Sequence, residues 1–208
     1  MTDYFIFVPI GYLIGSIPFG YLVVRFVLRT DIRQVGSGKT GMTNVIRAAG
    51  PKVGIGVLTL DMGKAVLAIA LPIWFTDTPG AHVGAGLAAL VGHIWPIFIG
   101  FRGGSGVAPG WGGLFPLFWL SGVIGTVLGL PIVYLTRRVS VGSMVGATTG
   151  SLSIVVFALL GVVPLEYMWY GIIGAPLILF RHRGNIRRLL RGEERRIGQQ
   201  GERTADKS

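Results

Sequence analysis

Four polar clusters interrupt a largely apolar chain of 208 residues. The first runs from Asp31 to Arg47, where Gly36, Gly38 and Gly41 alternate with Ser37, Thr40, Thr43 and Asn44. Glycines in such a run let successive backbone N–H groups turn inward and form an anion-binding nest. Arg33, Lys39 and Arg47 add positive charge. Two nucleotide motifs overlap this segment and both fail. The G-x-G-x-x-G spacing of Gly36, Gly38 and Gly41 has meaning only after a buried strand, and here an apolar, helix-length stretch precedes it. Gly38-Lys39-Thr40 matches the end of a P-loop, but the position that needs glycine is Arg33. What survives is the expectation of a phosphate-binding nest made by these glycines with Ser37, Thr40, Thr43 and Asn44, with Arg33, Lys39 and Arg47 supplying charge.

The second cluster, Asp61-Met-Gly-Lys64, sets a carboxylate and an amine three residues apart on one helix face inside an apolar run. Charge at such depth is costly, and marks either a functional group or a mutually satisfied ion pair. In the third cluster, Gly92 to Pro109, His93 alone reads as a hydrogen-bonded core residue. Its run Arg102-Gly103-Gly104-Ser105-Gly106, however, offers a second set of backbone donors at a helix start. The fourth cluster holds His182 and Asn185, whose spacing of three puts them on one helix face where the last apolar stretch ends. The arginines around them read as a solvated basic helix.

Membrane helices must position these clusters. With 51% hydrophobic and 13% charged residues, the composition excludes a soluble globular protein, and 34 glycines without a Gly-x-y period exclude collagen. The absence of cysteine removes disulfides, thiolate metal sites and thiol nucleophiles, and neither metal nor cofactor is expected. A span needs about 20 apolar residues, and the candidates are 4–28, 53–76, 81–101, 141–162 and 165–181. The first is too long, and too poor in basic residues at its start, for a cleavable signal. Arg25, Arg29, Arg33, Lys39, Arg47 and Lys52 follow the first span, Arg102 the third, and Arg137 and Arg138 the apolar stretch 107–136. Placing every basic loop in the cytoplasm requires an even number of crossings between Arg102 and Arg137. That stretch is too short for two full spans. It is therefore expected to form a hairpin of broken helices, turning near Ser121 and Gly122 or at Gly129 and Pro131.

The sequence thus predicts an all-α polytopic membrane protein of about seven transmembrane segments, including that short hairpin. Its N-terminus lies outside and its C-terminus in the cytoplasm. Residues 1–188 are expected to form a single integral membrane domain and 189–208 a basic cytoplasmic tail. Residues 181–208 carry nine basic and four acidic residues of a chain with net charge +10. Such a tail suits anionic membrane lipid; nucleic acid is not an expected partner, because no soluble domain carries the charge.

These segments resemble the acyl-phosphate-dependent glycerol-3-phosphate acyltransferases of bacteria (the PlsY type). The resemblance covers nearly the whole chain: Gly15-Ser-Ile-Pro-Phe-Gly20, the run Asp31 to Arg47, the D-x-x-K pair, G-H-x-x-P-x-F from Gly92 to Phe98, and H-x-x-N-I-x-R-L-L-x-G-x-E from His182 to Glu194. It implies transfer of a fatty acyl group from acyl phosphate to the 1-hydroxyl of glycerol 3-phosphate, in a bacterial plasma membrane, with the site on the cytoplasmic side. An acyl-phosphate-forming enzyme is the implied protein partner. By position, Ser37, Gly38, Thr43, Arg47, His182 and Asn185 would surround the phosphates and glycerol hydroxyls, with Ser143 lining the same pocket. Ser37, Arg47 and His182 are the expected catalytic residues; Lys39, Asn44, Gly103, Gly104, Ser105 and Gly106 complete the expected binding set.

The chain departs from the family pattern at three places. Ser105 stands where a lysine is expected, Lys39 where an asparagine is, and Ala65 where a glycine is. A lost lysine removes a charge-assisted hydrogen bond to phosphate of roughly 1.5–3 kcal/mol, and Lys39 is expected to replace that charge. The departures also admit a divergent paralogue with a changed acceptor. A small anion transporter is the rival from another class, but it calls for polar groups on both faces around a midplane site. Here the polar clusters lie almost all on one face.

Overall fold

A computed structural model describes residues 1–198, and these form helices joined by short turns. α1 (Thr2–Ser16) and α2 (Phe19–Leu28) are one membrane-length stretch broken at Ile17 and Pro18. Ile17 is extended and Pro18 has no N–H to give, so the helix cannot run through. The short α3 (Met42–Ala49) leads into α4 (Pro51–Phe75), and α5 (Pro79–Ile94) returns antiparallel to it. There follow α6 (Val107–Thr136), α7 (Val139–Leu159), α8 (Met168–Arg181) and the short α9 (Arg183–Leu190). Among the described residues, five stretches are long and apolar enough to cross a membrane: Thr2–Leu28, Pro51–Phe75, Pro79–Ile99, Val107–Thr136 and Val139–Leu159. Phe5, Phe26, Trp74, Tyr134 and Leu135 stand mostly exposed on the outside of the bundle, an apolar surface suited to lipid rather than water.

α6 is the expected hairpin, but its turn lies elsewhere than expected. Phe118 has extended dihedrals inside the helix. Trp111 Nε1 donates to the Gly122 carbonyl at 3.1 Å and to Thr126 Oγ1 at 2.9 Å, so the chain reverses between them. In a continuous helix, residues 111 and 126 would lie about 22 Å apart. The halves are therefore 107–117 and 119–136. Neither Ser121-Gly122 nor Gly129-Pro131 makes the turn, which needs no left-handed residue; Pro116, two positions earlier, ends the first half. Phe118 caps the turn edge-to-face on Phe157 of α7, with ring centroids 4.8 Å apart.

Two glycine contacts let the helices close up. Gly11 and Gly15 of α1 lie against the Ala85 and Ala89 backbone of α5, and Gly125 and Gly129 of α6 against Gly146 and Gly142 of α7. Polar residues gather at the two ends. At one, Thr76 and Thr78 hydroxyls donate to Asp3, and His82 bonds the Tyr167 hydroxyl and the Thr76 carbonyl. At the other end lie residues 29–50, 95–106, 137–138 and 182–198, with most of the basic charge of the described residues. The boundary expected at residue 188 falls inside α9. Residues 191–198 fold back onto the bundle, since the Ile197 N–H donates to the Arg137 carbonyl at 2.7 Å. Positions 199–208 of the expected tail lie outside the described residues.

Candidate active site

The basic end opens into a cavity of about 990 Å³. Its mouth is polar and its depth apolar, walled by both halves of α6 and by α7 and floored by Leu58, Leu114, Tyr170 and Ile178. Three turns form the mouth. Residues 36–41 are shaped by Asn44, whose amide donates to the Ile32, Val35 and Lys39 carbonyls while its Oδ1 accepts from the Ser37 N–H. Asn44 borders the cavity, but its bonding capacity is spent on the turn. Lys39 Nζ donates to the Arg181 carbonyl at 2.8 Å, and Arg181 Nη2 donates to the Gly104 carbonyl at 3.2 Å. The turns around 39, 104 and 181 are thereby tied into one rim.

Of the residues expected from sequence, Ser37, Lys39, Thr43, Asn44, Arg47, Ser105, Ser143, His182 and Asn185 line the cavity. Gly38, Gly103, Gly104 and Gly106 do not. The reason is internal bonding: the Gly38, Gly103 and Gly104 N–H groups donate to the Val35, Ile94 and His93 carbonyls, so they form no open nest. Gly106 sits with Leu90 and Ile94 where a Cβ would go, and serves packing. The open amides are instead those of Met42 and Thr43, in the first turn of α3, which has no earlier carbonyl to offer them. The side chains of Ser37, Thr43, Arg47, Ser105 and Ser143 form no hydrogen bond or ion pair with any described residue. One guanidinium and four hydroxyls thus remain available to a ligand.

His182 is 4% exposed, and its Nδ1 lies 2.8 Å from the Ile178 carbonyl. A carbonyl only accepts, so Nδ1 carries the proton and Nε2 keeps its lone pair. Burial pushes the imidazole below its ordinary pKa, against the Ile178 carbonyl, and the Lys39 charge adds to the depression. The ring is neutral near pH 7. Burial likewise pulls the Lys39 amine down to about 8, aided by Arg181 and Arg188.

Sequence reasoning missed the clasp at the rim. Glu194 is buried and accepts from Ser140 Oγ at 2.6 Å, Asn185 Nδ2 at 2.7 Å and Arg188 Nε at 2.8 Å. Burial raises its pKa, but these three donors outweigh it and hold the carboxyl below its ordinary 4.5. Glu194 lies among arginines, and charge alone marks it as one more solvated residue. Glu194→Ala strands the donors of Ser140 and Asn185, at roughly 2–4 kcal/mol after allowing for the half-exposed Arg188. Thermal unfolding in detergent should shift down by roughly 5–15 °C; an unchanged transition would show that the clasp contributes nothing. A depressed carboxyl stabilises above its unfolded pKa, so this contribution is lost as pH falls below about 4.5.

A helical bundle with an apolar cavity, opened at one end among hydroxyls and cations, is an integral membrane protein with a site that suits an anionic head and an apolar tail. Residues 5–192 match the family model described as glycerol-3-phosphate acyltransferase, and the chain belongs to that family. It is 47% identical to the glycerol-3-phosphate acyltransferase of Anaeromyxobacter sp. (strain Fw109-5), over 92% of this chain and 95% of that one. With that of Synechococcus sp. (strain CC9902) it shares 42% identity over 92% and 94%. Two solved structures are similar. The glycerol 3-phosphate form of the integral membrane acyltransferase PlsY (YgiH) matches with a TM-score of 0.86 at 34% identity, over 94% of this chain and 96% of that one. Its lysophosphatidic acid form matches with 0.82 at 33% identity, over 94% and 95%.

Proposed function

We propose that the protein transfers a fatty acyl group from acyl phosphate to the 1-hydroxyl of glycerol 3-phosphate, giving lysophosphatidic acid and phosphate, at the cytoplasmic face of a bacterial inner membrane. The observation that carries this reading is the cavity itself: unengaged Ser37, Thr43, Ser105, Ser143 and Arg47 at its mouth and an apolar depth below. That pairing suits a phosphate head with an acyl chain. The comparisons support the acceptor, since solved relatives are described in glycerol 3-phosphate and lysophosphatidic acid forms. The orientation rests on the basic end being cytoplasmic; counting both halves of α6 and the shorter α8 gives seven segments with the N-terminus outside.

The acyl phosphate is already activated, so no covalent enzyme intermediate is required. The acceptor hydroxyl attacks the acyl carbonyl, the bond from acyl carbon to phosphate oxygen breaks, and phosphate leaves with its electron pair. The hydroxyl proton passes to His182 Nε2 or to a substrate phosphate oxygen. Arg47 and the first-turn amides of α3 offset the developing negative charge, and the rest of the acceleration is positioning. Purified protein supplied with glycerol 3-phosphate and palmitoyl phosphate should form lysophosphatidic acid, and with palmitoyl-CoA should not. The reverse preference would refute the donor assignment.

Lys39 supplies the cation that Ser105 lacks: both border the cavity, at turns joined through Arg181. Lys39→Asn should raise the KM for the phosphate substrate about tenfold, and adding Ser105→Lys should restore it. Without recovery in the double variant, the exchange of roles is refuted. The amine loses its charge as pH rises through about 8, so wild-type KM should climb there while Lys39→Arg stays flat. Stability moves the other way: between about 8 and the ordinary 10.5 the unfolded chain holds a proton that the folded one lacks, so folding gains with pH.

A further inference from the structure

Asp61, Lys64 and His93, which the chemistry above does not use, meet inside the bundle, where His93 also borders the cavity. Asp61, Lys64 and His93 are 1%, 4% and 5% exposed. Lys64 Nζ lies 2.8 Å from Asp61 Oδ1, and His93 Nδ1 lies 3.4 Å from the same oxygen. Two motifs about thirty positions apart in the chain are thus one cluster, and charged groups inside a membrane are costly enough to mark a function.

The cluster reaches outward in two directions. Lys64 Nζ donates to the Ile17 carbonyl at 2.7 Å and lies 5.7 Å from the Phe19 ring centroid, so one amine bridges the break between α1 and α2. The next residue, Gly20, packs against the Thr40 carbonyl so closely that a Cβ has no room. In the other direction, the His93 ring occupies the space where a Cβ of Gly104 would lie, and the His93 carbonyl accepts the Gly104 N–H. Gly104 holds Arg181, and the Arg181 carbonyl holds Lys39. Both routes end on the turn at residues 39–40, one through Thr40 and one through Lys39.

We propose that Asp61, Lys64 and His93 form a buried positioning unit that sets the 36–41 and 103–106 turns at the cavity mouth, and so the affinity for the phosphate of glycerol 3-phosphate. This rests on the assignment of that mouth to substrate phosphate. His93→Ala removes the support beneath Gly104 while leaving the Asp61–Lys64 pair whole. Lys64→Met releases the Ile17 carbonyl. His93→Gln refills the space with a side chain of similar reach.

The test is calorimetric titration of glycerol 3-phosphate into each purified variant, alongside circular dichroism and thermal unfolding. The Kd should rise about tenfold or more in His93→Ala and Lys64→Met, at temperatures where both remain folded, because displacement of binding groups by an ångström carries penalties of that size. His93→Gln should bind within about threefold of wild type. A folded His93→Ala protein with wild-type Kd overturns the proposal and leaves the cluster as packing. Should Lys64→Met fail to fold, His93→Ala decides alone. A wild-type protein that does not bind glycerol 3-phosphate overturns the assignment of the mouth instead, and the inference with it.

Discussion

His182→Ala should lower the rate of lysophosphatidic acid formation by about 10²–10³-fold, the loss expected when a positioned acid–base group is removed. The ring is neutral at pH 7, its Nδ1–H is fixed on Ile178, and it borders the cavity. Its Nε2 is thus an acceptor able to orient the attacking hydroxyl. His182→Gln separates orientation from proton transfer, because the amide accepts a hydrogen bond but cannot take a proton at neutral pH. If His182 is the base, the glutamine variant falls nearly as far as alanine. It also loses the decline on the acid side that wild type shows as pH drops through the depressed imidazole pKa. Near-normal activity with unchanged pH dependence assigns the proton to substrate phosphate. A His182→Ala protein as active as wild type removes the residue from the site.

Gly20→Ala is the second large effect, and it acts without touching the cavity. The new methyl carbon would collide with the Thr40 carbonyl oxygen, which is backbone and cannot swing aside. The turn carrying Ser37 and Lys39 must shift, together with its anchor Asn44. Displacement of this kind costs about 10²-fold in activity. The bundle should survive, because the α1–α5 and α6–α7 contacts lie elsewhere. Activity measured beside a thermal unfolding curve checks both halves of the claim, and full activity in a folded Gly20→Ala protein would refute it.

Much of this was legible from charge and hydrophobic pattern. The parity of basic loops called for a hairpin between Arg102 and Arg137, and the Trp111–Thr126 contact shows one. Ser121-Gly122 and Gly129-Pro131 carry residue types that favour turns, whereas the chain reverses at an extended Phe118 beyond Pro116, which needs no unusual backbone and leaves no such mark in the sequence. The side chains that line the cavity were readable, because the hydroxyls, His182 and Arg47 are of the residue types that bind phosphate and move protons. The glycine amides were not, because Gly38 bonds the Val35 carbonyl of its own loop while Gly103 and Gly104 bond the Ile94 and His93 carbonyls at the end of α5, which spacing does not reveal. Nor can spacing show that Glu194, in a basic segment, turns inward onto Asn185 and Ser140, or that His93 meets Asp61.

The central claim is that both substrates meet in one cavity and the acyl group passes directly between them. Release of phosphate from palmitoyl phosphate by stoichiometric amounts of purified protein, with and without glycerol 3-phosphate, tests it most directly. The account predicts no phosphate burst without the acceptor, and equal amounts of phosphate and lysophosphatidic acid once it is added. A burst of one phosphate per protein in the absence of acceptor, leaving an acylated chain, would contradict it.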